Sequence, residues 1–396
     1  MPYDRRLGYY HRVFYQNNYA ADLKSTGVKD FIFGEYDKTL KGKMKVIQKY
    51  AVKMIPWALT GNVTFYIART FVILNIAYGI YTGNLQSVGA YMVMMLAVER
   101  LKDVLNQLFY FVKDGNRIGV HATRIRSFFD IESRIEPQTQ VKQVPAQGFY
   151  SVEFSDVFFK YENSAFAVSD FNLKIKPGEK IAIVGENGAG KTTLVKLLLR
   201  LYDVSSGAIS INGIDVRDYD VEQLRKKIGV AFQNSNIYAL SFAENIELYN
   251  RVDDKKLKDI IKNFKLDKIL SKNDADISTE VTKEFDENGI MLSGGEIQKI
   301  AIARLMTGEF GLLLLDEPSS ALDPIAEYEM TKLILDSSNR STTIMVAHRL
   351  STIRGCDRII LVDAGIIKEI GTHDELMSSQ GKYYEMFTKQ AENYVN

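Results

Sequence analysis

The sequence predicts a two-part chain: an α-helical membrane segment followed by an α/β domain that opens with an antiparallel layer. Three observations carry this. No charged residue occurs over 70–98. Beyond residue 149, strand-like alternation around a Pro177-Gly178 turn passes into strands that alternate with helical stretches. Within that part, the strand-like KIAIVG runs directly into the glycine-rich IVGENGAGKTTL of 183–194.

A chain of 396 residues suits two or three domains. Its net charge of +1 gives nothing that steers it toward nucleic acid, and no nucleic-acid partner is expected. The single cysteine, Cys356, excludes an internal disulfide framework and fits a reducing compartment. The first residues, MPYDRRLGYY, lead into no apolar stretch of the signal-peptide kind.

Residues 1–48 read as a cytoplasmic, amphipathic helical region rich in aromatics and charge. Residues 49–130 read as two membrane spans with a cytoplasmic extension. Residues 54–81, interrupted by Arg69, make roughly 40 Å of helix at about 1.5 Å per residue, enough to cross a bilayer. The turn TGNLQSVG follows, and AYMVMMLAVERLKDVLNQLFYFV supplies the second span. Basic residues flank the pair, in LKGKMKVIQKYAVK before it and KDGNRIGVHATRIR after it, and none lies in the turn, so both ends are expected on the cytoplasmic side. A competing reading, two buried helices of a soluble α domain, draws on Arg69, Glu99, Arg100, Lys102 and Asp103. In a membrane such residues face other helices, a cavity or the interface, and Arg69 is expected against helices or a cavity. Residues 131–148, with prolines and scattered glutamines, read as a linker, and residues 149–396 as the α/β domain.

The chemistry sits in that last part. Gly185, Gly188, Gly190, Lys191 and Thr192 fit G-x-x-x-x-G-K-[ST], with Glu186, Asn187, Ala189 and Thr193 completing the loop. Such a loop wraps phosphate oxygens with backbone N–H groups, the next helix adds its dipole, the lysine neutralises the β- and γ-phosphates, and the threonine hydroxyl serves Mg2+. In GLLLLDEPSSALD, four leucines make a buried strand ending at Asp316, a second Mg2+ ligand, and Glu317 follows as the base for the attacking water.

With MLSGGEIQKIAIARLM between these two motifs, the chain resembles the ATP-binding cassette transporters: an antiparallel subdomain, a P-loop NTPase core and a helical subdomain. The resemblance implies that Ser293, Gly294, Gly295 and Glu296 form a signature that holds the γ-phosphate bound to an opposite subunit; Glu296 stands where the family usually has glutamine. It further implies that Tyr161 stacks on adenine and that Gln233 senses Mg2+ and the water. By the same resemblance Asp323 belongs to an interface loop and His348 is the switch histidine at the γ-phosphate. Glu287 falls where exporters carry an acidic loop, and His11, His121 and His373 match nothing.

The fused order resembles an exporter-type half-transporter, with residues 9–27 as a coupling loop that docks on the opposite subunit's cassette. Six spans are usual there and two are read here, so the chain is expected to be amino-terminally truncated or partial. The implied function is ATP hydrolysis, with ATP and Mg2+, coupled to export of a solute, lipid or peptide across the cell membrane. The implied partners are membrane lipid and a second half-transporter, in a homodimer or heterodimer. The alternatives are a soluble cassette ATPase acting on ribosomes or DNA through a helical arm, and a non-catalytic regulatory subunit.

Overall fold

In residues 20–129 apolar side chains recur over stretches far longer than a strand, so the backbone satisfies its polar groups within helices. The computed structural model describes all residues except 1, 17–18, 84–87, 131–134, 136–141, 146–147, 149, 163–165, 319–321, 338–340 and 396. It divides into two units, Met1–Glu132 and Ser133–Asn396.

The first unit contains α1 (Pro2–Tyr15), α2 (Ala20–Ser25), α3 (Val28–Tyr81) and α4 (Val88–Phe129). α1 lies antiparallel on the start of α3: Asp4 pairs with Lys43 at 2.9 Å, and Phe14 meets Phe33 with ring centroids 4.6 Å apart. α3 runs unbroken through residues 48 and 49, where the sequence suggested a boundary, even though Pro56 removes one rung of its ladder. α3 and α4 also meet antiparallel. Arg69 lies 3.7 Å from Glu99, and the Lys102 ammonium sits 4.2 Å from the Phe65 ring centroid. Arg69 thus faces a helix. Among the described residues one segment, Val63–Tyr81, is long and apolar enough to cross a membrane. The second expected span is helical but carries Glu99, Arg100, Lys102 and Asp103 near its middle. Half of the expected turn, at 84–87, lies outside the described residues, as does most of the expected linker.

The second unit begins with β1 (Val152–Lys160), β2 (Phe166–Ile175), β3 (Lys180–Val184), α5 (Lys191–Leu198), β4 (Ser206–Ile211) and β5 (Ile214–Asp215). Next come α6 (Val221–Lys226), β6 (Ile228–Ala231), α7 (Phe242–Ile246), α8 (Asp254–Asn263), α9 (Asp267–Lys272), α10 (Gly294–Leu305) and β7 (Leu312–Asp316). It closes with α11 (Pro324–Ser337), β8 (Thr342–Val346), β9 (Arg358–Asp363), β10 (Ile366–Gly371), α12 (His373–Ser379) and α13 (Lys382–Val395).

The antiparallel sheet has order β2-β1-β4-β5 and the larger sheet β10-β9-β3-β8-β7-β6, parallel except for β10. Strands inside the larger sheet are covered on both faces and read as apolar runs. The leucines of β7 show how: Leu312 and Leu314 enter one core with β1, β2 and β4, while Leu313 and Leu315 enter the other with α7–α10. The period of two in a strand therefore welds the antiparallel layer to one face and the helical layer to the other. It also brings the carboxyl ends of β3, β6, β7 and β8 to one edge, where α/β sheets bind ligands.

Candidate functional site

The turn after β3 is shaped by steric exclusion. Gly185 (φ 150°) and Gly190 (φ 97°) adopt backbone that favours glycine, and a Cβ on either would stand 2.0 Å from Val362 O or 2.2 Å from Ala167 O. At Gly188 a Cβ would meet nothing, so that part of the loop faces open space of the kind a phosphate fills. α5 starts at Lys191 with Gly190 as its N-cap and no side-chain cap, which leaves its first N–H groups for an anion. Lys191 is buried, and its Nζ donates to Gly185 O (2.8 Å) and Glu186 O (2.9 Å). Burial pushes its ammonium pKa down against the pull of Glu317 and Asp316.

At the end of β7, Asp316 accepts a hydrogen bond from Thr192 Oγ1 at 3.1 Å. Burial pushes its carboxyl pKa up, opposed by that bond. Adjacent oxygens in an octahedral shell of about 2.1 Å radius lie roughly 3 Å apart, so this pair fits two neighbouring Mg2+ ligands. Among the described residues no group of three His, Cys, Asp or Glu could hold a metal.

Glu317 turns the chain through the left-handed region (φ 50°), costly for a non-glycine residue. Both its carboxylate oxygens are held: Gln233 Nε2 donates to Oε2 (2.8 Å), and His348 Nε2 lies 2.6 Å from Oε1. Behind it, Glu327, Thr331, His348 and Arg349 help to line a cavity of about 130 Å3. Six residues singled out in the sequence, Lys191, Thr192, Gln233, Asp316, Glu317 and His348, therefore meet along the sheet edge.

Ser293 and Glu296 behave differently. Ser293 caps α10, and Glu296 closes the reciprocal box: Glu296 Oε2 accepts from Ser293 N (2.7 Å) and from Ser293 Oγ (2.8 Å). Burial raises the Glu296 pKa, but the Ser293 backbone and hydroxyl bonds and Lys272 outweigh it and hold the carboxyl below its usual range. The Glu296 carboxylate therefore lies against the N-cap residue, on Ser293 N and Oγ. The pattern S-x-x-E, legible in the sequence, signals this box. Glu296 lines, with Asp323, Lys268 and Lys299, a separate cavity of about 590 Å3. Asp323 accepts from Ile325 N and Ala326 N at the start of α11, and Glu287 lies in an exposed turn.

Tyr161 is half-buried in an aromatic cluster. Its ring meets Phe159 (4.9 Å) and Tyr202 (5.3 Å) edge-on, and its hydroxyl lies 3.2 Å from Thr193 Oγ1. Three further contacts have no signal in the sequence. Arg349 pairs with Glu327 at 2.5 Å, Lys382 reaches Glu186 of the glycine loop at 3.7 Å, and Gln390 bonds to the backbone around His348. Each joins residues remote in sequence.

A helix start left open for an anion, beside a hydroxyl–carboxylate pair at a strand end, places residues from 150 onward among the P-loop nucleotide-binding domains. The family can be named as well. Residues 168–320 match the ABC transporter domain, and the chain belongs to the ABC transporter family.

Over 407 residues it is 31% identical to the subtilin transport ATP-binding protein SpaT of Bacillus subtilis, covering 99% of this chain and 64% of that protein. Over 352 residues it is 32% identical to the β-(1→2)glucan export ATP-binding/permease protein NdvA of Rhodopseudomonas palustris (strain BisB18), covering 88% and 56%. The chain thus spans little more than half the length of NdvA and less than two thirds of SpaT. The solved structure of a bacterial Atm1-family ABC exporter with ATP bound shares the fold at a TM-score of 0.80 and 24% identity, covering 98% of this chain and 69% of that one.

Proposed function

We propose that this chain hydrolyses ATP with Mg2+ and couples hydrolysis to export of a solute across the cell membrane, as part of a transporter with two cassettes. The observation that carries the proposal is the clamp on Glu317 by Gln233 and His348, next to Lys191 and the Thr192–Asp316 pair. A strained glutamate at a strand end, with both oxygens held, is oriented for one proton transfer.

Backbone N–H groups of residues 185–193 surround the phosphates, and Lys191 leaves the Gly185 and Glu186 carbonyls to neutralise the β- and γ-oxygens. Thr192, Asp316 and Gln233 hold Mg2+, which supplies charge stabilisation at the phosphate oxygens. Glu317 takes the proton of the attacking water, and His348 keeps Glu317 aligned and faces the γ-phosphate. Tyr161 stacks on the adenine, and Ser293, Gly294, Gly295 and Glu296 of a second half-transporter, identical or different, close the site. In the first unit, apolar side chains such as Phe71 (67% exposed) and Phe109 (75%) require a cover of lipid or further helices. The cassette then lies on the cytoplasmic side, with the basic flanks of the helices.

The test is hydrolysis by the purified chain with Mg-ATP, together with its recovery in the membrane fraction after a carbonate wash. Glu317→Gln is expected to lower steady-state hydrolysis on the order of 10²-fold or more while nucleotide still binds. Near-normal hydrolysis by that variant removes the catalytic assignment, and recovery in the soluble fraction removes the membrane half.

A further inference from the structure

His348 lies in the loop beyond the end of β8, where the strand ladder no longer holds the backbone. One side chain spans that loop. Gln390, on α13, accepts a hydrogen bond from Leu350 N at 2.9 Å through its amide oxygen and donates one to His348 O at 2.8 Å through its amide nitrogen. The two ends of a single amide therefore pin the backbone on either side of Arg349, as a strand partner would. On the far side Arg349 is anchored by Glu327 (2.5 Å) and Leu322 O (3.3 Å).

α13 is itself firmly seated, so it can act as a fixed support. Its first N–H groups, from Lys382 and Tyr383, donate to the Glu369 carboxylate at 2.6 and 3.2 Å. Tyr383 is fully buried with its hydroxyl 2.9 Å from His373 Nδ1, and Met386 and Phe387 pack on the core. At its other grip, Lys382 bonds to Asp363 (2.8 Å) and reaches Glu186 in the glycine loop (3.7 Å). One helix thus touches both the phosphate loop and the histidine loop.

We infer that Gln390 is a positioning residue for hydrolysis: its amide fixes the backbone of the His348 loop, and so the approach of the His348 ring to Glu317. The inference rests on the proposed ATPase function. Its chemistry asks for a donor and an acceptor at one site, which only a carboxamide or a protonated carboxyl of that length provides. Gln390 lies outside the part of the chain matched to the family domain.

The experiment uses the full chain. Gln390→Met keeps length and packing but has neither donor nor strong acceptor. It is expected to lower kcat about tenfold while KM for ATP and Tm stay within error, because the lost contacts orient a catalytic group and bind no nucleotide. In a His348→Ala background the same change is expected to alter kcat less than about twofold, the non-additivity of residues acting through one another. Gln390→Glu adds a pH signature. As a carboxylate it cannot donate to His348 O, whereas protonated it can, so its kcat relative to the unaltered chain rises as pH falls into the carboxyl range. The Gln390→Met ratio stays flat.

A readout independent of hydrolysis is amide hydrogen exchange at Leu350, expected to speed up in Gln390→Met while β8 stays protected. Normal kcat in Gln390→Met, an equal loss in both backgrounds, or unchanged exchange at Leu350 each overturns the inference. An unaltered chain that hydrolyses no ATP overturns the proposed function instead, and the exchange result still decides whether Gln390 holds the loop.

Discussion

Two helices of the cassette begin at glycine-rich turns and solve the same problem in opposite ways. Every α-helix leaves its first N–H groups without intrahelical partners. At α5 nothing caps them: Gly190 has no side chain, and the nearby cation, Lys191, is parked on two backbone carbonyls. At α10 the hydroxyl of Ser293 and the carboxylate of Glu296 complete a reciprocal box. The first end is left without a side-chain cap, while at the second the Glu296 carboxylate is held against the N-cap residue. The contrast predicts that nucleotide binding depends more on α5 than on α10.

The largest expected effect separates the two ends directly. Lys191→Ala removes the buried cation at the open end and is expected to cost about 3 kcal/mol of nucleotide binding, on the order of a hundredfold in Kd. Lys272→Ala, which removes the cation 3.6 Å from Glu296 at the closed end, is expected to change Kd by less than about threefold. Similar losses in the two variants, measured with a fluorescent ATP analogue, would dissolve the contrast.

An intermediate effect tests whether the closed end meets a nucleotide held by another chain. Cysteines at Asn187 and Ser293 are expected to crosslink between chains, several-fold more with ATP than without. Asn187 suits this better than Gly188, whose φ of 81° strains any side chain. Cys356 needs no replacement, because burial pushes its thiol up to about 12. Crosslinks within one chain, or crosslinks indifferent to ATP, would remove the composite site.

The smallest effect concerns the carboxylate itself. Glutamine at the third helical position also closes a capping box, so Glu296→Gln keeps the fold of this end and removes its charge. Hydrolysis or ATP-dependent dimer closure is expected to rise about two- to fivefold, the scale of one partly screened charge near a polyphosphate. The variant also has a pH signature. The folded pKa of Glu296 is depressed, so the stability it contributes is present above its unfolded value and is lost as pH falls through the folded value. Glu296→Gln should therefore show a smaller drop in Tm between neutral and acidic pH. An identical drop would mean that the box carries no charge-dependent stability.

Much of the cassette was legible in its sequence because the underlying chemistry is local. The glycine loop is a steric statement about adjacent residues, and GLLLLDE is a strand followed by its end groups. Ser293 and Glu296 spell their own cap in the pattern S-x-x-E. The first unit was legible as long helices, and the helical backbone of α3 propagates through the change in composition near residue 48.

By itself, then, the sequence determined the phosphate loop, the paired acids at the end of β7, the uncharged helical run and the order of the parts. All of these are set by contacts within a few residues or by the period of apolar side chains. Only the tertiary structure decided that Gln233 and His348 take one oxygen each of Glu317, that Arg69 faces Glu99, and that an amide on the last helix holds the histidine loop. Those contacts depend on which strands lie side by side and on where a distant helix docks. That placement is fixed by two cores packed on opposite faces of one sheet, an interaction that no short window of sequence contains.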